Sequence, residues 1–123
     1  VNSHIDKLEA VFAKNPQTQH KEIETVKKYI YTHFGDELGV EQLADMVYLA
    51  PSYLSTVFKK ETGQNLRKFI KQYRMEKAKD MLENTNMKIV NISEACGYQN
   101  VSYFCQSFRE CYGVSPQKFR NGI

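Results

Sequence analysis

One residue pattern occurs twice in this chain, and its first copy reads Leu43-Ala44-x-x-Val47-Tyr48-Leu49, then Tyr53-Leu54-x-x-Val57-Phe58-x4-Gly63-x5-Phe69. The second copy reads Ile92-Ser93-x-x-Cys96-Gly97-Tyr98, then Tyr103-Phe104-x-x-Ser107-Phe108-x4-Gly113-x5-Phe119. Matched positions are 49 residues apart before the central turn (Leu43 to Ile92) and 50 residues apart after it (Phe58 to Phe108). The repeat therefore predicts two equivalent units, the second with one extra turn residue.

Each copy has the pattern of a short helix, a tight turn and a second helix. In the first copy, Leu54, Val57 and Phe58 recur at the spacing of a buried helical face. The other face of that helix is left with small, polar or basic residues. This arrangement is typical of proteins that insert a helix into the DNA major groove.

Apolar periodicity predicts an all-α fold in which a long central helix joins two helix-turn-helix subdomains. We expect the first subdomain at residues 21–64, the connecting helix at 65–84 and the second subdomain at 85–123. At about 1.5 Å per residue, about 18 residues form a rod of roughly 27 Å, compared with ~34 Å between successive major grooves on one face of DNA. Such a rod would hold the two units in register with one turn of duplex.

Residues 1–20 are expected to be a linker or the tail of an upstream domain. Ile5, Leu8, Val11 and Phe12 have helical spacing and predict an extra N-terminal linker helix, which the segment 15–19 then breaks. Because the chain starts with Val1 rather than Met, we expect an N-terminal partner domain to be missing.

Capping residues mark several expected helix ends. Gly35 and Gly63 stand where a left-handed residue ends a helix at least cost. Residues that begin a helix well, through a fixed φ or a side-chain cap, are Pro51, Asn65, Asn100 and the pair Ser115-Pro116.

Charge is distributed unevenly along the chain, although the net charge is only +3. Residues 36–50 hold four acids and no Lys or Arg, whereas residues 51–83 hold eight bases against four acids. The positive segment begins at the second helix of the first copy, which favours a polyphosphate partner. A solvated helix of mixed charge would show the same balance.

Cysteine and histidine spacing does not indicate a metal site. Cys96, Cys105 and Cys111 have no C-x-x-C spacing, and the three histidines are not spaced with them as in a zinc finger. Cys96 matches Val47 of the first copy, so we expect it to be a small core residue. No cofactor is expected either.

No apolar run approaches the roughly 20 residues that span a bilayer, and no signal-peptide pattern opens the chain. We therefore expect no membrane partner and a cytoplasmic location.

The outward residues of the two second helices are the candidate DNA contacts. In the first copy, this helix has hydroxyl residues ahead of Lys59 and Lys60, and the two lysines would bind the DNA backbone. In the second copy, Gln106 could form two hydrogen bonds with adenine, and Arg109 could reach phosphate or guanine. The outward hydroxyl residues of the first copy are Ser52, Ser55 and Thr56. The remaining outward residues of the second copy are Ser102 and Cys105.

These residues resemble the DNA-binding domain of AraC/XylS-type transcription regulators over about residues 21–121. In the first half the resemblance rests on Leu43-Ala44 and Pro51-Ser52-Tyr53-Leu54-Ser55-x-x-Phe58-Lys59-Lys60-Glu61-x-Gly63. In the second half it rests on Arg74-x3-Ala78-x3-Leu82, Ile92-x3-Cys96-Gly97-Tyr98, Tyr103-Phe104-x3-Phe108-Arg109 and Gly113-Val114-Ser115-Pro116-x-x-Phe119-Arg120.

The resemblance implies seven helices and a monomer that lays two recognition helices into adjacent major grooves of double-stranded DNA. It also implies a regulator that activates transcription by contacting RNA polymerase. In the family, most base contacts come from the positions of Ser52, Ser55 and Thr56 and of Ser102, Cys105 and Gln106. The missing partner domain would be either a response-regulator receiver or a sugar sensor, and the sequence leaves both open.

Three positions depart from the family pattern. Tyr48 stands where the first turn often has glycine, Ser93 where alanine is usual, and Gln106 where arginine is common. The second half is consequently short of cations.

Two other classes of function remain to be compared with DNA binding. Catalysis is disfavoured because the chain shows no Gly-rich phosphate loop, metal triad or nucleophile with a nearby base. A helical adaptor that binds another protein would keep the core pattern but would need no basic outer face.

Overall fold

The computed structural model describes residues 16–122, with side chains from residue 20 onward. These residues form seven helices and, among themselves, no strand. The helices are α1 (Pro16–Thr32), α2 (Val40–Met46), α3 (Pro51–Thr62), α4 (Leu66–Asn84), α5 (Ile89–Ala95), α6 (Val101–Tyr112) and α7 (Pro116–Arg120). The all-α prediction is confirmed, whereas the predicted linker helix around Ile5–Phe12 lies outside the described residues.

The helices group into two compact units. The first unit contains residues 16–33 and 38–70, and therefore α1, α2, α3 and the start of α4. The second unit contains Phe34–Glu37 and residues 71–122, and therefore the rest of α4 with α5, α6 and α7. The long helix that was predicted to connect the two subdomains thus contributes residues to both of them.

The core of the first unit is centred on Phe58. Its ring is fully buried on α3 and meets the ring of Phe69 edge to face, with centroids 5.1 Å apart. Apolar residues of α1 and α2 are also buried in this unit: Ile23, Val26, Ile30, Leu43 and Ala44. Edge-to-face rings and close apolar packing are the main stabilising terms in such a small core.

The second unit repeats this arrangement with Phe108. Its fully buried ring meets Phe119 of α7 edge to face, with centroids 5.6 Å apart. The remaining core residues of this unit come from α4, from α5 and its C-cap residue, and from α6: Met75, Ala78, Leu82, Ile92, Cys96 and Phe104. The prediction that Cys96 is a small core residue is confirmed.

The two helix-turn-helix turns share one backbone conformation but use different residues. Tyr48 has φ of +59° in the first turn, and Gly97 has φ of +87° in the second. In each turn an N–H donates five residues back, from Leu49 to the Ala44 carbonyl and from Tyr98 to the Ser93 carbonyl. The extra residue predicted for the second turn is confirmed, because α2 and α5 start 49 residues apart whereas α3 and α6 start 50 residues apart.

Most of the predicted caps are present. Asn100 Oδ1 accepts from Tyr103 N–H at 3.0 Å, and Ser115 Oγ accepts from Lys118 N–H at 3.2 Å. Asn65 Oδ1 likewise caps the start of α4, and Gly63 ends α3 with φ of +78°. These side-chain hydrogen bonds fix the starts of α4, α6 and α7, and the left-handed Gly63 fixes the end of α3.

Two local predictions are wrong. The first helix begins at Pro16, inside the segment 15–19 that was expected to break the helical pattern, because proline is well suited to the first helical position. Gly35 does not end that helix in the left-handed region, since α1 already ends at Thr32. A Cβ at Gly35 would lie 2.5 Å from the carbonyl oxygen of Ala95, so glycine is needed there for close approach instead.

Two arginines stabilise the second unit through backbone carbonyls. Arg74 donates to Phe34 O at 2.9 Å and to Asp36 O at 2.6 Å, and its guanidinium lies over the Tyr98 ring. Arg120 donates to the carbonyls at the end of α4 and just after it: Met81, Leu82, Thr85 and Met87. Both side chains are therefore occupied by the fold itself.

The two turn residues should respond oppositely to substitution. Tyr48→Gly should raise the free energy of unfolding by about 0.5–1 kcal/mol, because relief of left-handed strain exceeds the chain entropy that glycine adds. Gly97→Ala should lower it by about 2 kcal/mol or more, because its Cβ would lie 2.9 Å from Phe34 O. Urea denaturation of both variants measures the difference. A neutral Gly97→Ala would contradict the described packing.

Candidate nucleic-acid interface

The outer face of α3 comprises the five predicted contacts Ser52, Ser55, Thr56, Lys59 and Lys60. Leu54, Val57 and Phe58 are buried on the opposite side, and this fixes the rotation of the helix. Ser55 is half-buried, while the other four side chains are exposed. The structure therefore brings all five predicted residues together on one helix.

Thr56 has a more specific chemistry than its residue type alone suggests. Its hydroxyl donates to the carbonyl of Ser52 at 3.0 Å. The hydroxyl proton is thus used within the helix, and the oxygen remains available as an acceptor on an exposed side chain. A threonine held in this way can accept from an amino group or contact a thymine methyl group.

The outer face of α6 comprises Ser102, Cys105, Gln106 and Arg109. Phe104, Ser107 and Phe108 are buried on the other side of the helix. Cys105 is half-buried, and the remaining three side chains are exposed. From the fourth residue of each helix onward, buried, half-buried and exposed positions follow the same order in α3 and α6. The two helices therefore present matched outer faces, each within its own unit.

The eight bases of residues 51–83 divide into an occupied and an available group. The occupied group lies in the second unit: Lys71 is 3.5 Å from a Glu110 oxygen, Arg74 binds carbonyls, and Lys77 and Lys79 lie over aromatic rings. The available group, exposed and without an ion pair among the described residues, is Lys59, Lys60, Arg67 and Lys68. Of these eight bases, the four that are open to a polyanion therefore all lie in the first unit.

Sequence reasoning missed three exposed residues near these faces. Tyr48 is 70% exposed in the first turn, and Tyr103 is 55% exposed on α6. Val101, the first residue of α6, is 37% exposed. Their positions held the signal, because the first residues of a recognition helix are those that contact base edges. The predicted contacts were chosen among small, polar and basic residues, so these three were left out.

Ser93 explains one departure from the family pattern. Its side chain is buried, and its hydroxyl donates to the carbonyl of Tyr98 at 3.4 Å. The serine therefore replaces alanine without leaving a buried polar group unpaired, and it holds the turn that precedes α6.

The cysteines differ in burial and in thiol chemistry. Burial raises the pKa of the Cys96 thiol to about 11 and also raises the pKa of the half-buried Cys105 thiol, whereas Cys111 is exposed. Across the side chains that the structure describes, no group of three or more His, Cys, Asp or Glu could hold a metal ion. Between residues 16 and 122, no helix is long and apolar enough to cross a membrane.

Comparison with known proteins places these features in a family. A family model described as a helix-turn-helix domain matches residues 43–122. The regulatory protein PocR of Salmonella typhimurium is 34% identical over 110 residues, which cover 89% of this chain and 36% of PocR. This chain thus spans about a third of the length of that relative.

Solved structures agree with this assignment. The C-terminal domain of AraT, a response regulator from Geobacillus stearothermophilus, superposes with a TM-score of 0.80 and 33% identity, over 83% of this chain and 85% of that one. The DNA-binding domain of AdpA, solved in complex with a target DNA, has a TM-score of 0.78 over 81% of this chain and 90% of that one. At 22% identity, the AdpA structure supports the fold alone.

The fold and the two matched faces define a double helix-turn-helix domain. The chain belongs to the AraC/XylS family of transcription regulators, and it corresponds to the C-terminal DNA-binding domain of that family.

The different burial of the three cysteines predicts the order in which their thiols react. We expect iodoacetamide to modify Cys111 first, Cys105 more slowly and Cys96 last, because the thiolate is the reactive form and burial disfavours it. Mass spectrometry of quenched time points measures the three rates, and the rates in urea serve as the unfolded control. Equal rates for Cys105 and Cys111 in the folded protein would contradict the described orientation of α6.

Proposed function

We propose that this chain is the sequence-specific DNA-binding domain of a transcription regulator, and that α3 and α6 enter adjacent major grooves of one duplex. The observation that carries the proposal is the pair of matched outer faces, each set by a buried phenylalanine at the same helical position. The long helix α4, which contributes residues to both units, supports the adjacent-groove arrangement.

The outer face of α3 would combine base contacts with backbone contacts. Ser52, Ser55 and Thr56 offer oxygen atoms and a methyl group to base edges. Lys59 and Lys60 lie at the C-terminal end of the helix, where they would neutralise phosphates.

The outer face of α6 would read sequence mainly through Gln106. A glutamine side chain can form two hydrogen bonds with adenine N6 and N7. Ser102 and Cys105 would contact neighbouring base edges, and Arg109 would bind phosphate or guanine. We add two exposed residues to these contacts. Val101 would pack on a thymine methyl group, and the Tyr103 hydroxyl would bind the DNA backbone.

The intact protein would couple this domain to a signal. We propose a sensor or receiver domain as its partner, supported by the fraction of PocR that the chain spans and by the description of AraT as a response regulator. Activation through contact with RNA polymerase, action in the cytoplasm and the absence of catalysis are parts of the same proposal.

A protein-binding adaptor is the alternative that experiment must separate. The available cations Lys59, Lys60, Arg67 and Lys68 favour a polyanion as the partner. They are exposed and form no ion pair among the described residues, whereas an adaptor would need no such cations. A mobility-shift assay against genomic fragments at two salt concentrations distinguishes the two functions. We expect binding that weakens steeply with salt as counterions return to the phosphates. Binding that is absent, or that is insensitive to salt, would support the adaptor.

Single substitutions should separate base reading from backbone binding. Gln106→Ala should relax the preference at one base pair, with a loss of about 1–3 kcal/mol in discrimination there. Lys59→Ala and Arg109→Ala should instead weaken binding evenly across sequences and reduce the salt dependence. Site selection from a random duplex library, repeated with each variant, measures both effects. If all three variants changed the preferred sequence equally, the assigned roles would be wrong.

A further inference from the structure

A cleft in the first unit opens beside the outer face of α3. Its volume is about 250 Å³, and it lies between α3 and the start of α4. Ser55, Thr56 and Lys59 form one wall, and Asn65 and Arg67 contribute to the other. Three residues of the proposed DNA-contacting face therefore also line this cleft.

The charge of the cleft is positive and is not neutralised by the protein. Lys59 and Arg67 are its charged lining residues, and no carboxylate lines it. Neither cation forms an ion pair with any residue that the structure describes. Two like charges facing one cleft repel each other, so an anion between them would be stabilising.

Side chains, rather than the backbone of α4, supply the donors of this cleft. Asn65 Oδ1 already accepts from the N–H groups of Arg67 at 2.9 Å and Lys68 at 3.2 Å. The guanidinium of Arg67 and the ammonium of Lys59 are thus the charged donors of the cleft. A guanidinium matches the geometry of two phosphate oxygens, and an ammonium adds a point charge.

We propose that this cleft holds one phosphate of the DNA backbone, with Arg67 and Lys59 as its ligands. The proposal rests on the function proposed above, since α3 must lie against DNA for a phosphate to reach the cleft. A phosphate held there would fix how far α3 enters the groove and which base edges face Ser55 and Thr56. Arg67 would act in this way as a positioning residue for base reading.

The second copy of the repeat lacks this pair of cations. Gln117 stands at the position of Arg67, and its amide donates to Asn121 Oδ1 at 3.3 Å. Arg109 remains at the position of Lys59, so only one of the two cations is repeated. The first unit would therefore anchor the domain to the backbone more firmly than the second.

Arg67→Gln tests the cleft with the residue that the second copy uses, and Lys68→Gln is the matched control. Lys68 is an exposed neighbouring cation that does not line the cleft, so both variants lose one charge from the same turn of α4. Affinity for a duplex selected by the wild-type chain is measured over a series of salt concentrations. For Arg67→Gln we expect a salt slope smaller by about 0.9 and binding about three- to tenfold weaker, with a clearly smaller change for Lys68→Gln.

Neutralising single phosphates locates the contact. Duplexes with one methylphosphonate at each backbone position in turn should reveal one position that weakens wild-type and Lys68→Gln binding but not Arg67→Gln binding. Circular dichroism verifies that each variant is folded.

Three outcomes have distinct meanings. Loss of sensitivity at one phosphate in Arg67→Gln alone supports the cleft. Two results would contradict the proposed phosphate site while leaving DNA binding intact. One is equal salt slopes for the two variants, and the other is an Arg67→Gln variant that is weakened by the same methylphosphonate positions as the wild-type chain. A wild-type chain with no salt-dependent DNA binding overturns the proposed function, and the cleft proposal falls with it.

Discussion

A single buried phenylalanine orients the second helix of each unit, and the exposed chemistry depends on it. Phe58 and Phe108 are fully buried, and each meets a second ring edge to face. Truncating such a ring typically costs about 3–5 kcal/mol, a large share of the stability of so small a unit. Because the ring fixes the rotation of its helix, it also determines which residues remain on the outer face.

The duplication conserves this geometry while the chemistry of the copies differs. The same left-handed turn contains an exposed Tyr48 in one unit and Gly97 in the other, where a Cβ would meet a carbonyl oxygen. The same helical position carries Arg67 in one copy and Gln117 in the other. Backbone geometry is therefore common to both units, whereas the pair of cations Lys59 and Arg67 occurs in the first copy alone.

Sequence periodicity was sufficient to predict the helices, most of the caps and the two outer faces, because these depend on local spacing. It could not show which cations are available. Arg74 is one of the eight bases of the positive segment, yet it donates to backbone carbonyls more than 30 positions away, as Arg120 also does. Gly35 was also misread, because its close approach to Ala95 depends on tertiary packing. Such long-range contacts leave no periodic signal.

The central claim, that two matched helices read one duplex, is tested most directly by hydroxyl-radical footprinting. The duplex should be one that the chain itself selects from a random library. The account predicts two windows of backbone protection on one face of the DNA, separated by about one helical turn of 10 base pairs. A single window, or protection without this spacing, would contradict it.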